Sequence, residues 1–268
     1  MKSIARSLQA SATVGDPIPM PWPALDLKLK LHTKELSIVA GAPGAGKSVF
    51  ALNVAMEMDD PVLYVAQDSA PSVYARSAAL ALHMEIGTVY DQLREPDTKA
   101  ELIQELALEK QDLFIHGGAL TVDDIESRLI ALKEVLGEAP KLVIIDNLID
   151  LIVPGHVHTD AGFYAASLNP LKQIAIKHNT CMLALHHVTR RGSETSNPHG
   201  LGTRALKMTD LLYSGEREAE HVIGVFHNVE KSNMSIQILK QRDGDADPEG
   251  GLFVPLVWHP RMGRLDRR

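Results

Sequence analysis

The sequence predicts an α/β fold: a mainly parallel central sheet, helices on both faces, and antiparallel strands at a C-terminal edge. Three observations predict it. Short apolar runs alternate with helical stretches from residue 35 to residue 185. Each run is apolar throughout rather than at every second residue, the pattern of strands buried on both faces. A glycine-rich loop joins the first run to the first helical stretch.

The runs are ELSIVA (35–40), PVLYVA (61–66), DLFIH (112–116), KLVIID (141–146) and TCMLAL (180–185). Helical patterns lie between and after them, at 47–58, 71–84, 97–109, 122–136 and 161–178. Strand–helix alternation of this kind builds a layered α/β domain. After residue 220 the helical pattern stops. HVIGVFHN (221–228), SIQILKQ (235–241) and LFVPLVW (252–258) read as antiparallel edge strands, with the turn-rich DGDADPEGG (243–251) between two of them. Ahead of the first run, PIPMPWP (17–23) carries four prolines and can be neither helix nor central strand. Residues 1–34 are therefore read as an N-terminal arm, laid on the surface or reaching a neighbouring subunit. Residues 35–268 are read as one domain.

Hydrophobic residues make up 45% of the chain and charged residues 23%, ordinary globular values. No apolar run approaches the ~18 residues of a membrane span, and the N-terminus has no signal-peptide core. A single cysteine, Cys181, excludes an internal disulfide framework and a multi-cysteine zinc site. The expected location is the cytoplasm. A net charge of −7 argues against a protein that coats polyanions over its whole surface, but leaves room for a local basic patch. At 4% aromatic, the chain has little with which to stack bases.

GAPGAGKS (41–48) is a complete G-x-x-x-x-G-K-[ST] phosphate loop between a strand and a helix. Gly41, Gly44 and Gly46 let the backbone curl so that its N–H groups face phosphates. The helix N-terminus adds its positive dipole end. Pro43, Ala45 and Val49 complete the stretch around the nucleotide. Lys47 is expected to reach the β- and γ-phosphates of ATP, and the Ser48 hydroxyl to ligate Mg²⁺. KLVIIDN ends an apolar strand with Asp146, a carboxylate placed to hold the Mg²⁺ shell. VLYVAQDS ends with Gln67 and Asp68. Asp68 is the expected water-activating carboxylate, with Gln67 beside it. The alternative for Asp68 is an N-cap of the next helix.

The order of these features resembles the RecA-like ATPase domain of hexameric replicative helicases of the DnaB type. The resemblance covers roughly residues 35–258. It is carried by GAPGAGKS, VLYVAQDS, KLVIIDNLIDLI (141–152), MLALHHVTR (182–190), DLLYSGEREAEHVIGVF (210–226) and ILKQRDGDADPEGG (238–251). It implies a RecA-like P-loop NTPase fold and a γ-phosphate sensor at His187, with His186 adjacent. It also implies a K-x-R pair, Lys240 and Arg242, that points into the neighbouring subunit's ATP site, with Arg242 as an arginine finger in trans. The chain departs from the family in having Gln67–Asp68 where a glutamate is usual. Only about 34 residues precede the ATPase core, with no helical collar for docking primase. The resemblance is therefore to the compact phage or plasmid type.

Two loops of such a fold would face a ring's central channel, at 151–163 and 188–204. The second carries Arg190, Arg191 and Arg204 among Gly, Ser, Asn and Pro, and suits contact with DNA phosphates. The expected partners are single-stranded DNA and further copies of the chain in a homo-hexamer or other ring. The expected function is an ATP-dependent DNA helicase in replication. A RecA-like recombination or repair ATPase and a nucleotide-switched loader are the alternatives.

Overall fold

The computed structural model describes residues 15–67, 70–159, 161–188, 203–211, 217–228 and 232–266. In chain order these residues form β1 (Pro17–Ile18), α1 (Pro23–Asp26), β2 (Leu31–His32), β3 (Leu36–Gly41), α2 (Lys47–Met56) and β4 (Val62–Ala66). Then follow α3 (Ala70–Ala81), α4 (Ile86–Gln92), α5 (Pro96–Glu109), β5 (Leu113–Gly117), α6 (Val122–Leu136), β6 (Leu142–Asp146) and α7 (Ala161–His178). The chain continues through β7 (Cys181–His187), β8 (His221–Asn228), β9 (Asn233–Lys240), β10 (Phe253–His259) and β11 (Arg264–Asp266).

Strands β3 to β11 form a single sheet in the order β11-β10-β9-β8-β3-β7-β6-β4-β5. The ladders from β5 across to β8 are parallel, and those from β8 out to β11 are antiparallel. This is the expected architecture, with the C-terminal strands antiparallel at one edge. The uninterrupted apolar runs follow from burial on both faces. In β6, Leu142 and Ile144 face one core cluster, and Val143 and Ile145 face the other. The first core lies under α2 and contains Phe50 and Leu52. The second lies under α6 and α7 and contains Ile125, Leu129, Leu168 and Leu171. Helix α6 is capped at both ends. Thr121 and Asp124 exchange hydrogen bonds in a capping box, and Gly137 takes the left-handed conformation at the C-terminus.

The N-terminal arm corrects the surface-laid reading over its described part. Ile18, Met20, Trp22, Leu25, Leu29 and Leu31 are all buried in the α2-side core. Trp22 stacks on Phe50 at 5.7 Å, and its indole N–H donates to the Leu265 carbonyl at 2.9 Å. The prolines do keep this segment out of the main sheet: β1 pairs only with β2. Pro23 opens the one-turn helix α1, where its missing N–H costs nothing.

Candidate nucleotide site and the opposite edge of the sheet

The parallel strands end together at one side of the sheet, and the site is assembled there. Gly41 is level with His187, and Ala66 is level with Asp146. Strand β7 lies between the strand that carries the phosphate loop and the strand that carries Asp146. His187 therefore stands between the two. This is the side of an open α/β sheet at which ligands bind.

The loop between β3 and α2 is held open by its glycines. Gly46 sits at φ +100°, and a Cβ there would lie 2.1 Å from the Met234 methyl carbon. A side chain at this position would have to displace the end of Met234 and would strain a backbone conformation that L-residues rarely adopt. Gly44 sits at φ +74° with open space around it. The loop thus presents backbone, not side chains, to its concave side, which is what a polyphosphate requires. His227 lies beside the Ala45 backbone of the loop. Burial holds the His227 pKa below the usual imidazole value, against the pull of the Ala45 backbone.

Lys47 is 5% exposed. Its Nζ donates to the carbonyls of Gly41 at 3.0 Å and Ala42 at 3.3 Å, and lies 3.5 Å from Nδ1 of His187. Burial brings its pKa down to about 8, and the Asp146 carboxylate opposes that shift. Lys47, Asp146 and His187 are thus brought to one place. Asp146 is buried, and Oδ2 accepts a hydrogen bond from the Tyr64 hydroxyl at 2.6 Å. The Ser48 side chain adjoins that hydroxyl. Sequence reading missed Tyr64. The signal available was a phenol in a fully apolar strand, since a buried Tyr hydroxyl needs a partner. Pro43 and Gly44 are exposed on the loop, and Ala45 is buried beneath it. The open glycine loop, the buried ammonium and the carboxylate beside a serine hydroxyl fit a nucleoside triphosphate with a hard divalent cation.

Gln67 is engaged on both sides. Its Nε2 donates to the Asn147 carbonyl at 2.7 Å, and its Oε1 accepts from the Leu120 N–H at 3.4 Å. It ties the end of β4 to the end of β6. Asp68, Arg190 and Arg191 lie outside the described residues. Arg204 is described, and it pairs with Asp210 at 2.8 Å. That contact corrects the expectation of a loose basic loop at this residue. Gln237, buried in β9, fastens the same segment: its side chain bonds both the N–H and the carbonyl of Leu206.

Lys240 and Arg242 lie at the other side of the sheet. Lys240 is paired with Val222, which is level with Ile38. The Glu220 N–H donates to the Leu36 carbonyl, and Arg242 Nη2 donates to Glu220 Oε1 at 3.0 Å. From Leu36 to Gly41 the strand rises about 16 Å. This K-x-R pair therefore cannot serve the phosphate loop of its own chain without leaving the fold. Lys240 donates to the Ala219 carbonyl at 2.6 Å. Glu220, whose side chain is 2% exposed, also takes Lys172 at 2.6 Å and the Leu36 N–H at 3.0 Å. Arg242 itself remains 59% exposed. Its guanidinium is held on one side and open on the other.

Among the described residues, no group of His, Cys, Asp and Glu is arranged to hold a metal ion by itself, and no helix is long and apolar enough to cross a membrane. The fold is shared with a solved ATPase domain: TM-score 0.78 and 19% identity, over 100% of this chain and 99% of that one. A DnaB-like replicative helicase, whose structure was described with its interactions with primase, matches at TM-score 0.75 and 20% identity. That match covers 100% of this chain and 67% of the helicase chain. The RadB recombinase matches at TM-score 0.59 and 15% identity, over 94% and 99%. The expected RecA-like fold is thus borne out. Among curated relatives, the Gene 65 protein of Mycobacterium phage L5 is 27% identical, over 94% of this chain and 93% of its own length. The Gene 65 protein of Mycobacterium phage D29 is 25% identical over 82% and 93%. A family described as "AAA domain" matches residues 8–193, more than half of the sequence. Nucleotide binding accords with that match and with the phosphate loop, and the chain belongs to this AAA domain family.

Proposed function

We propose that the chain is an ATP-dependent DNA helicase of the DnaB-like kind, which couples ATP hydrolysis to movement along single-stranded DNA in replication. The observation that carries the reading is the separation of the two halves of the catalytic set. Lys47, Asp146 and His187 share one side of the sheet, while Lys240 and Arg242 stand on the other. One chain holds half a site at each side, so complete sites form only between copies, as in a ring.

The backbone N–H groups of residues 41–48 and the Lys47 ammonium hold the β- and γ-phosphates of ATP. Ser48 and Asp146 hold Mg²⁺, which when bound neutralises charge on the phosphates. Lys47 exchanges its contacts to the Gly41 and Ala42 carbonyls for phosphate oxygens. Asp68 orients the attacking water and accepts its proton. His187, beside Lys47, reads the γ-phosphate and passes its presence along the segment toward Arg190 and Arg191, which hold DNA phosphates. Arg242 enters the neighbouring copy's site and stabilises charge on the transferring phosphoryl group, with Lys240 beside it.

The likeness in fold to a solved ATPase domain over nearly the whole of both chains supports this reading, and so does the likeness to the DnaB-like replicative helicase. The test is ATP hydrolysis with and without single-stranded DNA, together with unwinding of a forked duplex. DNA-stimulated hydrolysis with unwinding is the expected result. Stimulation without unwinding would favour a recombination or repair ATPase. Hydrolysis indifferent to DNA would overturn the reading.

A further inference from the structure

Tyr64 is the third residue of β4, level with Ile144 of β6 and fully buried in the α2-side core. Its hydroxyl is not spent on the core. It donates to Asp146 Oδ2 at 2.6 Å, and the Ser48 side chain at the start of α2 adjoins it. With its one proton committed to the Asp146 carboxylate, the phenol oxygen can only accept from Ser48, which makes Ser48 the donor. A relay therefore runs from Ser48 through Tyr64 to Asp146, across three separate elements.

We propose that Tyr64 is a positioning residue for the divalent-cation site, its hydroxyl orienting Ser48 and Asp146 together. The inference rests on the reading that Ser48 and Asp146 hold Mg²⁺. A serine hydroxyl has one proton and two lone pairs, and a cation needs a lone pair. Committing the Ser48 proton to Tyr64 turns the lone pairs away from the phenol. A carboxylate is planar, so fixing Oδ2 of Asp146 also fixes the direction of Oδ1. The ring cannot swing out to solvent, because it is packed among Val62, Ala66 and Ile144 in the core. The cation thus meets ligands already set in direction, and partners of this kind are worth roughly 10–100-fold in metal affinity.

The test uses the full chain and a fluorescent, hydrolysis-resistant ATP analogue, titrated with MgCl₂ and, separately, in EDTA. Tyr64→Phe keeps the ring that fills the core and removes only the hydroxyl. It should raise the Mg²⁺ concentration needed for tight analogue binding by about 10–100-fold and leave the affinity in EDTA unchanged. Asp146→Asn calibrates the assay. If Asp146→Asn shifts the Mg²⁺ requirement and Tyr64→Phe does not, the role of Tyr64 is overturned and the cation site stands. If neither shifts it, the cation-site reading falls. Equal weakening in EDTA and in Mg²⁺ would make the hydroxyl structural and overturn the inference. Should Tyr64→Phe fail to fold, 3-fluorotyrosine at position 64 retains the phenol. Its ¹⁹F resonance should move when Mg²⁺ is added to the analogue complex, and an unmoved resonance would overturn the inference.

Discussion

The Arg242 guanidinium donates to the Glu220 carboxylate at 3.0 Å, and this pair sits at the side of the sheet opposite Lys47. Glu220 is anchored by Lys172 and by the Leu36 N–H, so one edge of the guanidinium is held near β3 while the rest of the side chain stays exposed. A side chain this exposed is open to a neighbouring copy.

Arg242→Ala should therefore abolish hydrolysis in the assembled protein and leave nucleotide affinity nearly unchanged. An arginine finger acting in trans is worth roughly 10³–10⁵-fold in turnover. Mixing Arg242→Ala with Lys47→Ala should restore part of the activity, because some interfaces then pair an intact phosphate loop with an intact arginine. Steady-state ATPase across mixing ratios measures this. A strictly additive loss would contradict a trans role.

Lys47→Ala should fold and lose hydrolysis. The lysine is buried rather than surface-bound, and its removal relieves a charge held in a poor environment. Its pKa lies near 8, below the ordinary 10.5. Between those values the unfolded chain holds more protons than the folded one, so the stability of the nucleotide-free protein rises with pH across that window. At 1.36 kcal/mol per unit the gain approaches about 3 kcal/mol. Urea unfolding at pH 8 and pH 10 should show this rise in the wild type and not in Lys47→Met. Nucleotide phosphates reverse the penalty, so binding at pH 9 should take up protons, which calorimetry in buffers of different ionisation enthalpy can count.

Gln67→Ala and Asp68→Asn should separate cleanly. Gln67 spans β4, the Leu120 N–H and the Asn147 carbonyl. Its loss leaves the buried Leu120 N–H unpaired, at about 1–3 kcal/mol. The thermal midpoint should fall while hydrolysis per folded molecule stays near wild type. Asp68→Asn should instead lower turnover by roughly 10²–10⁴-fold with nucleotide affinity retained. An inactive but stable Gln67→Ala would move the water-orienting role to Gln67.

The fold and the near half of the site were legible because each rests on a local pattern. Strands buried on both faces read as continuous apolar runs, and the phosphate loop is a contiguous motif. What escaped was short or long-range. Helix α4 has no side-chain cap at Glu85 and spans only Ile86–Gln92. Strand β11 has three residues. The apolar residues of the arm are spaced by prolines into no period, although Trp22 reaches Leu265 across the whole chain. Tyr64 meets Asp146 at a separation of 82 residues, and Arg242 meets Glu220 across two antiparallel strands. No sequence spacing encodes such contacts; the sheet order creates them.

The basic residues after His187 should divide unequally in DNA binding. Arg204 is paired with Asp210, and Gln237 clamps Leu206 two residues on, so this end of the segment is fastened to β9. A DNA phosphate would have to compete with an existing carboxylate for Arg204. Replacing Arg204 alone by alanine should barely change the salt dependence of single-stranded DNA binding. Replacing Arg190 and Arg191 should reduce the log–log salt slope by about 0.7 for each phosphate no longer held, near 1.4 for the pair. Basal ATPase should survive in both variants, because neither set belongs to the phosphate loop or to the strand that carries Asp146, while DNA stimulation should fall only in the Arg190/Arg191 variant. Fluorescence anisotropy of a labelled oligonucleotide across a salt series measures the slopes. A larger slope change for Arg204→Ala than for the Arg190/Arg191 pair would show that DNA breaks the Asp210 pairing and uses the fastened end of the segment as its grip.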